Sequence, residues 1–242
     1  MGRGRIIMAV AGGMLVVVIG FIVVASWSFT KLMRNGDVNT LDSLNFDNQF
    51  SSAKKPANSS TPASTTVNAE SMTAPSLGSD KAPLRVVEFV DFACPYSKQE
   101  STVLRELSVS NPDKVWLQVR NFPTLDGGAL LHPGAEVAAE AAMCANEQGK
   151  YWNMYDALFA NQNSDGTFSA DDLRRMAIAV GVDAKKYDVC IGSGRTKAGI
   201  SADYQAGLAI AVTGTPTFFV NGDKIDGAIP GDAWQTILKL VK

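Results

Sequence analysis

The chain has 242 residues, a formal net charge of -2 at pH 7 and 19% charged residues. Such a balance carries no electrostatic footprint for nucleic acid. The length admits one or two domains, and three cysteines with a single histidine lack the ligand spacing of a zinc site.

From Ile6 to Thr30 no residue is charged, and Ile6–Ala25 is rich in Val, Ile, Met, Gly and Ala. That stretch is long enough to cross a bilayer. Arg3 and Arg5 precede it and Trp27 sits at its far edge, which predicts a cytoplasmic amino terminus with the remainder outside. The rival reading is a signal peptide cleaved after Val23-Val24-Ala25, although an ordinary h-region is shorter. Either way the bulk of the chain is exported, and disulfides are permitted. Residues 31–80 show no helical or strand period, and 51–80 is dominated by Ser, Thr, Ala, Pro and Asn. Such a composition buries too little apolar surface to offset its ordering entropy, so 31–80 reads as a flexible linker.

The folded domain is expected over 81–242. Leu84–Phe92 reads as a strand, Ser97–Ser110 as a helix closed by Asn111-Pro112, and Lys114–Phe122 as a strand with two different faces. A helical block follows: Ala135–Gln148, Tyr151–Phe159, Ala170–Val180, Ala184–Cys190 and Ile200–Ala211. Thr217–Val220 is a short strand, Asn221-Gly222 a hairpin signal, Lys224–Asp226 the returning strand and Asp232–Val241 a last helix. Met143, Met154 and Met176 read as core filler. The order describes an α/β domain interrupted by helices.

Cys94-Pro95-Tyr96-Ser97 falls where the first strand hands over to the first helix. A cysteine in a helix's first turn meets N–H groups without intrahelical partners and the positive end of the dipole. Both favour the thiolate that attacks disulfides. The alternative is a cysteine packed as a small hydrophobe. With Ser97 three residues on, no second thiol stands by to complete an exchange. Glu88 lies on a strand expected to be covered on both faces. It is either a buried carboxyl with a raised pKa, suited to proton exchange, or a solvated edge residue. Three cysteines allow three pairings. His132, in Leu131-His132-Pro133, reads as a surface or capping residue, because one histidine without a positioned partner says little about acid–base work.

Three stretches carry a resemblance: EFVDFACPYS, HPGAEVAAEAAMCANEQGKYWNMYDALFANQ, and VTGTPTFFVNG followed by Gly227 and Pro230. Together they resemble the DsbA-like thioredoxin-fold proteins, in the branch with an exported single domain on an amino-terminal anchor. The resemblance covers nearly all of 81–242 and none of 1–80. It implies a thioredoxin fold with a helical insertion at about 133–211; the transmembrane helix and disordered linker expected before it rest on composition. It makes Cys94 the nucleophile and puts Ser97 where most members carry the resolving cysteine, with Pro95 and Tyr96 completing the motif. It further implies a cis Pro216 after Thr215 facing the active site, an acidic Glu88 beneath it, and a Cys144–Cys190 disulfide in the insertion.

The function so implied is extracytoplasmic thiol–disulfide exchange through Cys94 as a monothiol, by isomerisation or reduction. No cofactor or metal is implied. The partners would be exported proteins with thiols or disulfides, a membrane redox partner or small thiol, and the membrane through residues 6–30. The cell membrane, single-pass with the domain outside, is the location this describes. Two other readings stand beside it: a non-catalytic client-binding module, and a dithiol oxidase whose second cysteine has become Ser97.

Overall fold

The computed structural model describes residues 68–126 and 129–241. The expected membrane segment at 6–30 and most of the expected linker lie outside the described residues. Among those described, no helix is long and apolar enough to cross a membrane.

The central strands are β2 (Leu84–Val90) and β3 (Val115–Asn121), which run parallel from Leu84↔Val115 to Val90↔Asn121. Helix α1 (Pro95–Ser110) makes the crossover between them. It stops at Asn111 because the following proline disfavours helical backbone there. Strand β6 (Thr217–Val220) lies antiparallel on the other side of β2, and β7 (Asp223–Asp226) pairs with β6. Asn221 and Gly222 join them, both at positive φ (51° and 94°), the backbone that a two-residue hairpin requires. Strand β1 (Ser76–Leu77) pairs antiparallel with β3, giving the sheet order β1-β3-β2-β6-β7.

Alternation along the strands divides the core. Leu84, Val86, Val90, Leu117, Val119 and Phe218 face α1 and most of the helical block. Val87, Phe89, Trp116 and Phe219 face the other way. On that second face Gly207 lets its helix approach closely, since a Cβ there would stand 2.8 Å from the Phe122 ring.

The insertion comprises α2 (Ala135–Asn146), α3 (Tyr151–Ala160), α4 (Ala170–Ala179), α5 (Ala184–Ser193) and α6 (Lys197–Ala209). Ser169 caps α4 and Asp183 caps α5 by accepting from the Asp172 and Lys186 amides. The Cys144–Cys190 disulfide joins α2 to α5 across a Cα–Cα distance of 5.8 Å. Met154 is wholly buried, with Met143 and Met176 packed against the same core. The last helix, α7 (Gly231–Leu240), packs Trp234 against Phe218 at 5.4 Å between ring centroids. A small hairpin absent from the sequence expectations, β4 (Leu125–Asp126) and β5 (Ala129–Leu130), leaves the end of β3.

One expectation needs correction. The folded domain reaches back before residue 81, because 69–74 lies on the second face of the sheet and Ser76–Leu77 adds a strand at its edge. Arg120 Nη1 donates to the Ala69 carbonyl (3.1 Å), and the Gln118 side chain accepts from the Ser71 amide and donates to its carbonyl, both at 2.7 Å. Polar composition conceals this strap, which is held by hydrogen bonds more than by apolar residues of its own. β3 has the two different faces its alternation predicts, and both are covered: Val115, Leu117 and Val119 on one side, Trp116, Gln118 and Arg120 on the other.

Candidate active site

The chain turns out of β2 through Asp91, Phe92 and Ala93 into α1. Cys94 is the N-cap, with extended backbone (φ -77°, ψ 124°), and Pro95 occupies the first helical turn, where its missing N–H costs nothing. The Lys98 amide donates to the Cys94 carbonyl (3.1 Å), closing the first helical bond. Gln162 Nε2 donates to both the Phe92 and Cys94 carbonyls, at 2.8 and 2.9 Å.

The Cys94 thiol donates to the Thr215 carbonyl at 3.3 Å. Thr215-Pro216 is a cis peptide bond in the loop that leads into β6. The cysteine is 4% exposed, while the adjacent Tyr96 is 54% exposed. Ser97 is fully buried, and its hydroxyl has no hydrogen-bond partner among the described residues. Cys94 is the free cysteine; Cys144 and Cys190 are bonded to each other.

Glu88 projects from β2 onto the face covered by α1 and is fully buried. Burial pushes its pKa from the ordinary 4.5 up to about 8; the Tyr155 hydroxyl, donating to Oε2 at 3.1 Å, pulls the other way, and the charge of Glu100 adds to the rise. Its other oxygen has no partner among the described residues. The solvated-edge alternative for Glu88 is thereby excluded. Glu100, on α1, is a second buried carboxyl, with a pKa raised by burial; Trp234 Nε1 donates to it at 3.2 Å.

The sequence expectations missed Asp91, Thr124, Gln162 and Glu100. They also placed His132 at the surface or in a cap, whereas its Nδ1 stands 2.9 Å from Asp91 Oδ2 and its side chain is 17% exposed. Asp91 is 41 residues from His132 and 33 from Thr124. No local period reports contacts at that range. The one signal within reach was the lone histidine itself, beside a proline. Among the described residues no cluster of three or more His, Cys, Asp or Glu is arranged to hold a metal.

Comparison with known proteins bears on the family and the fold. The thioredoxin family model matches residues 70–240. A thioredoxin-like oxidoreductase from Silicibacter pomeroyi is 26% identical, with a TM-score of 0.59 covering 70% of this chain and 92% of that one. BdbD from Bacillus subtilis shares the fold at 20% identity and a TM-score of 0.59, covering 69% of this chain and 91% of that one. Among curated proteins, the Na(+)/H(+) antiporter NhaA 3 of Salinispora tropica is 39% identical over 152 residues, which is 62% of this chain and 22% of the antiporter. NhaA 1 of Mycolicibacterium gilvum is 33% identical over 165 residues, 67% of this chain and 25% of that protein. The chain thus spans 22–25% of the length of these relatives, and the transport in their names belongs to the whole proteins. This chain belongs to the thioredoxin family. Its fold is shared with the thioredoxin-like oxidoreductase of Silicibacter pomeroyi and with BdbD.

Proposed function

We propose that this chain exchanges thiols and disulfides of exported proteins outside the cytoplasm, with Cys94 working as a single thiol. The observation that carries the reading is the Cys94 sulfur at the amino terminus of α1, 3.3 Å from the Thr215 carbonyl beside the cis proline. The Cys94 thiolate attacks one sulfur of a client disulfide. The client S–S bond breaks, a Cys94–client S–S bond forms, and the second client sulfur leaves as a thiolate. Ser97 has no sulfur with which to reverse this from within. A second client thiol attacking the mixed disulfide returns Cys94 and leaves the client isomerised. Alternatively, two equivalents of a small thiol return Cys94, ending as a small-molecule disulfide with the client reduced.

The neighbouring groups have roles in this scheme. Glu88, with a pKa of about 8, holds a proton at neutral pH and serves as the reservoir for the thiol–thiolate change at Cys94. The Thr215-Pro216 backbone offers an extended client segment an edge to pair with. Residues 6–30 anchor the chain in the membrane, and the segment up to about 67 tethers the domain. A membrane redox partner or a small thiol resets Cys94.

The full chain, mixed with a scrambled disulfide protein and a small thiol, is expected to regain native substrate over many turnovers, and Cys94→Ala is expected to lose that gain entirely. Equal activity of the two overturns the reading. One observation favours a second reading, a client-binding module: Cys94 is 4% exposed and has no partner thiol at Ser97. That reading predicts one stable Cys94–client adduct per chain and no turnover.

A further inference from the structure

We infer that Asp91 is a positioning residue that ties the two walls of the Cys94 site together, and that the Thr124 hydroxyl sets the cis-proline loop for client proteins. This rests on the proposed exchange at Cys94 and concerns how that site is held.

The Asp91 carboxylate is buried and accepts three hydrogen bonds from three separate stretches of chain. Oδ1 accepts from the Ala93 amide at 2.8 Å, which shapes the turn into Cys94. Oδ2 accepts from the Thr124 amide at 3.1 Å and from His132 Nδ1 at 2.9 Å. The hairpin of β4 and β5 explains the convergence. The Leu131 amide donates to the Thr124 carbonyl at 2.8 Å, so the two stems of the hairpin deliver Thr124 and His132 to the same carboxylate. The Thr124 hydroxyl then lies 3.2 Å from the Thr215 hydroxyl, and the Thr215 carbonyl accepts from Cys94. Two paths therefore run from Asp91 to the sulfur. One is the backbone of 91–94; the other crosses Thr124 to Thr215.

A turn-forming aspartate would need only the Ala93 bond. The remaining two bonds reach across more than 30 residues to the two stems of the β4–β5 hairpin. They belong to an arrangement that fixes the distance between nucleophile and client-binding loop. Such fixed geometry matters to exchange, because small misplacements of a reacting pair are costly in rate.

The two paths separate experimentally. A client segment docks on the loop at Thr215 that the Thr124 hydroxyl holds; a small aromatic disulfide attacked by Cys94 needs no docking there. Rates of mixed-disulfide formation would be measured on the full chain with a disulfide-containing peptide and with 5,5′-dithiobis(2-nitrobenzoate). Thr124→Val keeps the amide and the volume but removes the hydroxyl, and is expected to slow the peptide reaction about fivefold, the worth of one net hydrogen bond. The small-disulfide rate stays unchanged, and Thr124→Ser restores the peptide rate. Asp91→Asn leaves one acceptor oxygen for three donors and is expected to slow both reactions by about tenfold, in keeping with loss of a charged acceptor. A Thr124→Val chain with the wild-type ratio of rates, or an Asp91→Asn chain with the wild-type small-disulfide rate, overturns the inference. If wild-type Cys94 reacts with neither reagent, the exchange reading itself falls.

Discussion

At the scale of the residue, Glu88 is a carboxyl held far from the environment its chemistry prefers. It is fully buried with a single hydrogen bond, from Tyr155, and its pKa stands near 8 where 4.5 is ordinary. The unfolded chain therefore gives up this proton first. Below pH 4.5 both states hold it, and the contribution of Glu88 to stability is fully present. As the pH rises toward 8 the unfolded state is ionised while the folded state stays neutral, and stability falls by about 1.4 kcal/mol per pH unit in that window. Above pH 8 that contribution is gone. Glu88→Gln, neutral at every pH, is expected to remove this slope, with urea midpoints at pH 5 and pH 8 converging relative to wild type. Unchanged slopes would mean that Glu88 is solvated in the folded chain.

At the scale of the element, the insertion is held by a bond that the rest of the sheet does not need. Cys144 on α2 and Cys190 on α5 are both fully buried, and 46 residues separate them in sequence. Closing a loop of that length is worth about 4 kcal/mol by restriction of the unfolded chain, with 2–4 kcal/mol typical in practice. The Cys144→Ala, Cys190→Ala double variant should lose roughly that much in denaturant unfolding. It should still form mixed disulfides through Cys94, which lies on a different element. Loss of Cys94 reactivity in a folded double variant would show the insertion to be part of the active-site frame. Elements of this kind were legible in the sequence because their signals are local: strand alternation in β3, the Asn221-Gly222 turn, the proline after α1, and a cysteine between strand and helix. What stayed hidden depends on contacts distant in the chain. His132 has no visible partner until the hairpin folds it onto Asp91, and Glu100 has none until α7 brings Trp234. Strand β1 was hidden differently, as two residues in a stretch whose composition reads as linker.

At the scale of the whole molecule, that hidden strand decides where the domain begins. Composition places the boundary at 81, yet the buried polar residues of β3 depend on what precedes it. Arg120, Gln118 and Arg85 reach back to Ala69, Ser71 and Glu70, and Ala69 is 2% exposed in the second core cluster. Arg120 also pairs with Asp203 on α6, at 2.9 Å with both side chains at most 10% exposed, so the strap and the insertion meet on one guanidinium. Removing residues up to 80 would bare Gln118 and leave Arg120 short of an acceptor. Each such loss costs about 1 kcal/mol net and more where the group stays buried. A chain beginning at 81 is therefore expected to be less stable by roughly 3 kcal/mol than one beginning at 68, read as a shift in urea midpoint. Equal midpoints would return 68–80 to the tether. If the shift is found, the folded domain begins by about residue 68, and any shortening from the amino-terminal side that is meant to keep the domain intact must stop there.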